Sequence, residues 1–210
     1  MSEMKFCLSR AEFAQQFTAL PEHEAWGALQ TGNGRIAAES PLARIHRHSG
    51  SDDHAPAFAL TTATEPARTL CTVARAADAQ TVYAVHGGSG RLIGRIIRGR
   101  SPLGVRQVWR IEDAAKQCSA VAHKGNLRGW IAYWAISPVW VVMALLFLLN
   151  GDLHPSGTLW SKPHRARWRL KSGAEPRKTA ALDFNTGRYR ADTAALDVHL
   201  LYAQAVLYGA

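Results

Sequence analysis

Cysteine is scarce in this sequence, and its placement excludes a fold held together by disulfides. The three cysteines, Cys7, Cys71 and Cys118, are odd in number and widely spaced, and no CxxC pair occurs. This usage is typical of a reducing compartment. The opening residues MSEMKFCLSRAEF contain no apolar stretch of the kind found in a secretory signal. We therefore expect any membrane targeting to come from an internal segment.

Recognisable catalytic and cofactor motifs are also lacking. No Ser/His/Asp arrangement, carboxylate pair or nucleotide-binding loop stands out. The glycine-rich loop between His86 and Arg91 has neither the lysine nor the helix of a P-loop, so it is interpreted as a hairpin turn. His46, His48 and His54 match no structural zinc spacing. The sequence thus predicts a non-enzymatic protein without catalytic residues, metal or cofactor.

Positive charge, by contrast, is abundant. The formal net charge is +9, and the sequence pI is about 9.9. Such an excess indicates an anionic partner: acidic lipid headgroups, nucleic acid or an acidic protein. Hydrophobic residues make up 47% of the chain, enough for a sizeable core. A mean hydropathy of −0.14 excludes a protein made mostly of membrane spans.

The segment from Gly129 to Leu149 contains no charged residue. As one helix it would extend about 30 Å, roughly the thickness of the hydrocarbon core of a bilayer. Pro138 divides it, because proline lacks an N–H and disfavours helical angles at Ser137. We predict an inserted apolar helical segment over 129–150, either a membrane hairpin hinged at Ser137–Pro138 or a transmembrane helix. Burial in the protein's own core is the alternative.

Aromatic residues in this segment suit a membrane–water interface, where amphipathic rings concentrate. Basic residues lie on both sides of the segment, which favours both of its ends on the cytoplasmic face of the plasma (inner) membrane. The side chains predicted to insert are Trp130, Tyr133, Trp134, Pro138, Trp140 and Phe147.

A basic ridge follows the apolar segment. Its cations alternate with apolar residues in the two-residue period of a strand, which spaces them about 7 Å apart on one face. We predict that this face binds acidic lipid headgroups, with a merely solvated strand face as the alternative. The predicted binding residues are Lys162, Arg165, Arg167, Arg169 and Lys171.

The remaining sequence predicts strands and one buried helix. Residues 1–30 are expected to form an N-terminal helical segment and residues 31–67, rich in Gly, Ala, Ser, Pro and His, a flexible linker. Short β-branched and aromatic runs then indicate strands in hairpins. The stretch from Asp192 to Leu207 is apolar all round, which is typical of a buried helix. The predicted strand runs are 70–76, 81–86, 91–98, 105–113, 118–123 and 165–171, with a hairpin over 179–190.

Strands with aromatic–x–aliphatic pairs and turns, followed by an apolar C-terminal stretch that starts with Leu-Asp, occur in three segments: Tyr83–Val85 with Gly90–Ile96, Val108–Ala115, and Leu196–Val206. These segments resemble the tubby C-terminal-like superfamily, which includes the phospholipid scramblases. The resemblance covers roughly 69–208 without the apolar insertion, and Lys116 stands where many members have glycine. It implies a closed antiparallel β-barrel around a buried C-terminal helix, and binding of phosphoinositide or other acidic headgroups. It carries over no catalytic residue and no calcium motif.

Together these features predict a mainly β protein with some helix, whose barrel domain spans 68–210. We expect a membrane-attached module that binds acidic lipids and serves as an adaptor for a membrane protein assembly. The alternatives are a soluble nucleic-acid-binding protein and a structural or interaction protein with the apolar segment buried. Nucleic acid is the less favoured partner, because Trp168 alternates away from the arginines of the ridge.

Overall fold

The computed structural model shows a chain built mainly of β-strands. It describes residues 3–9, 23–31, 41–48, 57–64, 68–76, 79–101, 106–125, 127–149, 165–172, 175–185 and 187–209. The strands are β1 (Glu3–Ser9), β2 (His23–Thr31), β3 (Ala43–His48), β4 (Phe58–Thr61), β5 (Thr69–Ala76), β6 (Ala79–Gly87), β7 (Leu92–Arg100), β8 (Gln107–Asp113), β9 (Cys118–His123), β10 (Ala166–Ser172), β11 (Glu175–Asn185) and β12 (Arg188–Asp192). The helices are α1 (Leu127–Leu149) and α2 (Val198–Gly209).

The strands form one closed antiparallel barrel. Each strand pairs with its neighbour along the chain, and β1 closes the barrel by pairing with β12. In the closing ladder Glu3 lies opposite Asp192 and Phe6 opposite Tyr189. Closure leaves no open sheet edge in the described strands, a hazard that open sheets must otherwise manage. The predicted mainly β fold with a closed antiparallel barrel is confirmed.

Alternation along the strands determines what faces the inside of the barrel. Tyr83 and Val85 on β6, and Trp109 and Ile111 on β8, are buried, whereas the residues between them are less so. This is the pattern of an antiparallel sheet with one wet face. The aromatic–x–aliphatic pairs of the sequence therefore supply the inward face of the barrel.

Helix α2 fills the barrel, and its residues Leu200–Val206 are all buried. The hydroxyl of Tyr189 donates a hydrogen bond to the carbonyl of Ala205 at 3.0 Å. Phe6 stacks on Tyr189 with ring centroids 5.2 Å apart, and its ring meets that of Tyr202 edge-on at 5.4 Å. The sequence predicts this helix from Asp192, but it begins at Val198.

Asp113 links the turn after β8 to the residue just before α2. Asp113 is a buried carboxylate at the end of β8. Its Oδ1 accepts the backbone N–H groups of Ala115 and Lys116, each at 2.9 Å, and its Oδ2 accepts that of Asp197 at 3.0 Å. The Lys116 ammonium also donates to the carbonyl of Ala194 at 2.9 Å. These bonds tie the residues that lead into α2 to the end of β8 and the turn that follows it.

The N-terminal third corrects two predictions. Strands β3 and β4 lie inside the range 31–67 expected to be a linker, and β1 and β2 lie inside the range 1–30 expected to be helical. The barrel therefore includes residues well before 68. β4 has only four residues and β2 contains a glycine, so the stability of these strands comes from cross-strand burial rather than local propensity. Residues 10–22 of the segment expected to be helical lie outside the described residues.

The buried His46 shows how the supposed linker is tied into the barrel. Its ring Nε2 lies 3.1 Å from the hydroxyl of Thr61 across the β3–β4 pair. His54 lies outside the described residues. Within the part of the chain that is described, no group of three His, Cys, Asp or Glu side chains is placed to hold a metal ion.

Helix α1 runs without a break through Pro138, so the predicted hairpin of two arms is wrong. A proline at this position leaves the carbonyl four residues earlier, that of Trp134, without its usual helical donor. The hydroxyl of Ser137 donates to that carbonyl at 3.1 Å. Helices tolerate an internal proline when a neighbouring side chain satisfies the freed backbone group.

The predicted transmembrane span is corrected as well. Among the helices formed by the described residues, none combines the length and the apolar character required to cross a membrane.

Candidate anion-binding surface

Strand β10 places a row of cations on the outside of the barrel. Arg165, Arg167 and Arg169 are exposed, and so is Lys171. The intervening Ala166, Trp168 and Leu170 are buried inside. The alternation expected from the sequence is therefore formed, because the barrel takes every second residue of β10 into its core. The fifth predicted residue, Lys162, lies outside the described residues.

Neighbouring strands extend this row sideways. Arg167 lies opposite Asp183 of β11, which lies opposite Arg190 of β12, which in turn lies opposite Lys5 of β1. Two residues further along β11, Asn185 lies opposite Arg188 of β12. We call the outward-facing residues Arg165, Arg167, Arg169, Lys171, Arg188 and Arg190 the cationic face.

Sequence reasoning did not include Arg188 and Arg190 among the binding residues. They lie about 20 positions along the chain from the ridge, and only strand pairing brings them beside it. The signal was present in the Arg-Tyr-Arg alternation at 188–190, in which Tyr189 is buried and both arginines are exposed.

One carboxylate organises the centre of the cationic face. Asp183 Oδ2 accepts from Arg167 Nε at 2.9 Å and from Arg165 Nη2 at 3.3 Å. The Asp183 side chain is 18% exposed, so these contacts are less screened than fully exposed ion pairs. A single carboxylate offsets only part of the charge of six cations. The face therefore keeps a strong positive excess.

Two cavities open on this surface. The first, of about 460 Å³, lies over β10–β12. It is lined by Arg165, Arg167, Asp183, Asn185, Arg188 and Arg190. The second, of about 310 Å³, lies over β9 and β10 and shares Arg165 and Arg167 with the first. The remaining lining of the second consists of Arg106, Val121, His123, Gly125 and Arg169.

His123 reports the electrostatic field of the second cavity. Burial lowers the pKa of its imidazole below 6.5, and the charges of Arg106 and Lys171 lower it further. A site that disfavours the imidazolium form disfavours an added cation. Arg106 itself donates from Nη2 to the carbonyl of Gly125, which holds its guanidinium beside the cavity.

This arrangement is chemically suited to a polyanion. Guanidinium groups present a planar fork of donors that matches the oxygens of phosphate, and several forks around one cavity can contact a multiply charged group. The aromatic side chains nearest to the arginines, Trp168 and Tyr189, are buried in the barrel. They are therefore not placed to stack on a ligand held by the cationic face.

The predicted membrane-inserting residues lie on α1. Trp134 is 60% exposed, and Pro138 is also exposed. For Trp130, Tyr133, Trp140 and Phe147 the backbone is described but the side chains lie outside the description. Apart from Leu92, every exposed large hydrophobic side chain of the described residues is on α1: Trp134, Ile136, Val139, Val141, Val142, Met143, Leu145, Leu146 and Leu149.

A backbone hydrogen bond joins the chain just before α1 to the start of the cationic face. The N–H of Gly125, two residues before α1, donates to the carbonyl of Arg165 at 2.8 Å. The chain therefore leaves the barrel for α1 and returns to it at the same place, beside the cationic face. The start of the exposed apolar helix therefore lies close to Arg165 of the cationic face.

Comparison of the chain with family models, with curated proteins and with solved structures finds no match in any of the three.

Proposed function

We propose that this protein binds acidic lipid headgroups at the cytoplasmic face of the plasma (inner) membrane, without enzymatic activity. The observation that carries the proposal is the cationic face: five of its six basic side chains, all but Lys171, line two adjoining cavities, with one carboxylate among them. A phosphorylated headgroup such as that of a phosphoinositide supplies the multiple anionic oxygens that such a surface binds.

The attraction between the cationic face and an acidic leaflet is the sum of the contributions of its basic side chains. Each Lys or Arg close to an acidic leaflet contributes about 1 kcal/mol, and the attraction decays within about 8–10 Å at physiological ionic strength. Six such residues on one face provide enough attraction for reversible binding even after the offset from Asp183. The interaction should therefore weaken as salt is added.

In this proposal, the apolar side chains of α1 contact the acyl chains just below the headgroups. Contiguous exposed apolar surface on a protein marks an interaction site for protein or membrane. Lipid is favoured here because α1 joins the barrel beside the cationic face, so both surfaces meet the same leaflet. Stable membrane attachment generally needs two signals, and here the apolar side chains of α1 and the charges of the cationic face supply one each. An adaptor role in a membrane protein assembly is compatible with this attachment.

Vesicle binding tests the proposal. The full chain is sedimented with phosphatidylcholine vesicles alone, or with vesicles containing phosphatidylserine or a phosphoinositide. The double variant Arg169→Glu/Arg190→Glu alters the cationic face and leaves the Asp183 ion pairs intact. We expect it to weaken binding to acidic vesicles at least tenfold, since about 1 kcal/mol per charge is at stake.

The matched control is Arg91→Glu/Arg95→Glu, the same charge change at exposed positions on and next to β7. It should bind acidic vesicles almost as well as the unaltered chain. Equal loss in both double variants would show that only net charge matters, and would overturn the cationic face as the site. Binding that is indifferent to acidic lipid and to salt would do the same. Tighter binding to single-stranded nucleic acid than to acidic vesicles, lost in the first variant, would favour the nucleic-acid alternative.

A further inference from the structure

A third cavity lies at the end of the barrel where α2 ends, and it shares no lining residue with the two cavities of the cationic face. Its volume is about 380 Å³, within the usual range for small-molecule sites. Its wall is contributed by β2–β8 and by Val206 and Leu207 of α2. The lining residues are Trp26, Ile45, Arg47, Ala57, Phe58, Arg75, Tyr83, Arg98, Trp109, Val206 and Leu207.

The inner wall of this cavity is apolar and aromatic. Phe58, Tyr83 and Trp109 are buried, and Ile45 and Val206 add aliphatic surface beside them. Such a wall accepts the hydrocarbon or aromatic body of a ligand, and burial of that body contributes about 0.8 kcal/mol per methylene. A purely polar ion would gain nothing from this wall.

The outer rim of the same cavity is positively charged. Arg47, Arg75 and Arg98 are exposed and come from three different strands, β3, β5 and β7. None of the three forms an ion pair with a carboxylate of the described residues. The Arg98 guanidinium lies 5.6 Å from the ring centroid of Trp109, which holds it over the aromatic wall. No acidic residue is among the described residues that line the cavity.

Trp109, which lines the cavity, has a buried hydrogen-bond donor without an acceptor among the described residues. Its side chain is 3% exposed, and its indole Nε1 has no hydrogen-bond partner in the described structure. A buried donor without a partner costs roughly 1–3 kcal/mol, so such groups usually have an acceptor. An acceptor oxygen on a molecule in this cavity would remove that cost.

We infer that this cavity binds a single-chain amphiphile with an anionic head, such as a fatty carboxylate. The head pairs with the guanidinium groups of the rim, an oxygen accepts from Trp109 Nε1, and the chain packs against the aromatic wall. This site is separate from the headgroup-binding surface proposed above, because the two share no residue.

Isothermal titration calorimetry tests this inference with dodecanoate at concentrations below its micelle formation. Dodecyl phosphate tests whether another anionic head is accepted, and dodecyltrimethylammonium tests the requirement for an anion. We expect saturable binding of one dodecanoate per chain and none of the cation. Binding of both anions supports the inference, whereas equal binding of anion and cation would overturn it.

Two variants locate the site. Arg47→Gln/Arg75→Gln should weaken dodecanoate binding about tenfold or more, since two charge-assisted contacts are lost. Trp109→Phe keeps an aromatic wall but removes the N–H donor, and should weaken binding several-fold. Arg91→Gln/Arg95→Gln is the matched control and should bind normally. Because Trp109 is in the core, Trp109→Phe is first checked for an unchanged thermal transition. If that transition is lowered, the result for Arg47→Gln/Arg75→Gln alone decides.

The variant Arg169→Glu/Arg190→Glu separates this inference from the proposed function. It should lose binding to acidic vesicles and retain dodecanoate binding. If dodecanoate binding disappears in that variant but persists in Arg47→Gln/Arg75→Gln, the ligand binds at the cationic face and the inference about the barrel end is wrong.

Discussion

The two helices of this protein are similar in composition and opposite in environment. Both are apolar on all sides and neither has an acidic residue in its first turn or a basic residue in its last. Leu200–Val206 of α2 are completely enclosed by the barrel. On α1, Leu145 is 55% exposed, and most of the described apolar side chains are exposed as well. Composition alone therefore does not determine burial, which depends on whether a complementary surface is available.

The surface that receives α2 is shaped for it. At Gly94 of β7, an added Cβ would lie 2.9 Å from Leu200 Cδ1 and 2.2 Å from the carbonyl oxygen of Glu112. The absence of a side chain there lets the helix approach the sheet closely. No comparable packing partner for α1 exists among the described residues. The proposed function assigns lipid to this exposed apolar surface.

Matched leucine truncations give the largest expected difference between the two helices. Leu200→Ala removes a fully buried side chain and should lower the free energy of unfolding by about 2–5 kcal/mol. Leu145→Ala removes an exposed one and should change that free energy by no more than about 0.5 kcal/mol. Urea denaturation of the two variants measures both values. Comparable destabilisation by Leu145→Ala and Leu200→Ala would mean that α1 is packed inside the protein as α2 is.

Glycine substitution on β7 tests the close approach of α2. Gly94→Ala should destabilise the protein by about 1–3 kcal/mol, because the carbonyl oxygen of Glu112 is backbone and cannot move aside easily. Gly99→Ala on the same strand is the control, since an added Cβ there has no atom within 4 Å. Thermal unfolding of both variants provides the comparison. A Gly94→Ala protein as stable as the control would show that neither Glu112 of β8 nor Leu200 of α2 lies as close to Gly94 as described.

Removal of a buried amide should instead stabilise α2. Gln204 is fully buried, and both its Oε1 and its Nε2 lack hydrogen-bond partners in the described structure. Gln204→Leu removes this desolvation cost and should raise the free energy of unfolding by about 1 kcal/mol. Gln204→Ala, which leaves a cavity, should not. A destabilising leucine would indicate that the amide has a partner, such as a buried water molecule.

The smallest effect is a pH dependence at His123, close to where α1 leaves the barrel. The pKa of His123 is lowered in the folded state by burial and by Arg106 and Lys171. As the pH falls below 6.5, His123 is protonated in the unfolded chain before it is protonated in the folded protein. The contribution of His123 therefore lowers the free energy of unfolding between pH 6.5 and its folded pKa. Above 6.5 both states are neutral and the contribution vanishes.

Imidazole chemical shifts measured against pH by NMR give the folded pKa directly. Arg106→Gln should raise that pKa by removing a neighbouring positive charge, and so should the binding of an anion in the second cavity. Arg95→Gln, on a strand away from this cavity, should leave it unchanged. A folded pKa of 6.5 or more in the unaltered chain would contradict the positive field described here.

Local patterns predicted the barrel well wherever alternation was strong. Arg165–Lys171 and Gln107–Asp113 are examples, because inward and outward residues differ clearly in polarity. The sequence did not reveal β1–β4, in which the alternation is weak: all four residues of β4 are buried, and β1 depends on pairing with β12, which is distant in the chain. For the same reason the cationic face was predicted only in part: Arg188 and Arg190 join it through long-range pairing. Pro138 was predicted to break α1, but the Ser137 hydroxyl compensates for the lost backbone donor.

The pairing of β1 with β12 has a consequence for synthesis on the ribosome. Glu3 must wait for Asp192 before its ladder can form, so the nascent barrel stays open until β12 has been synthesised. Contacts that join such distant positions form slowly and leave intermediates prone to aggregation. Nascent chains of this protein should therefore depend on holding chaperones, and a shortened chain that ends before β12 should be recovered largely as insoluble material.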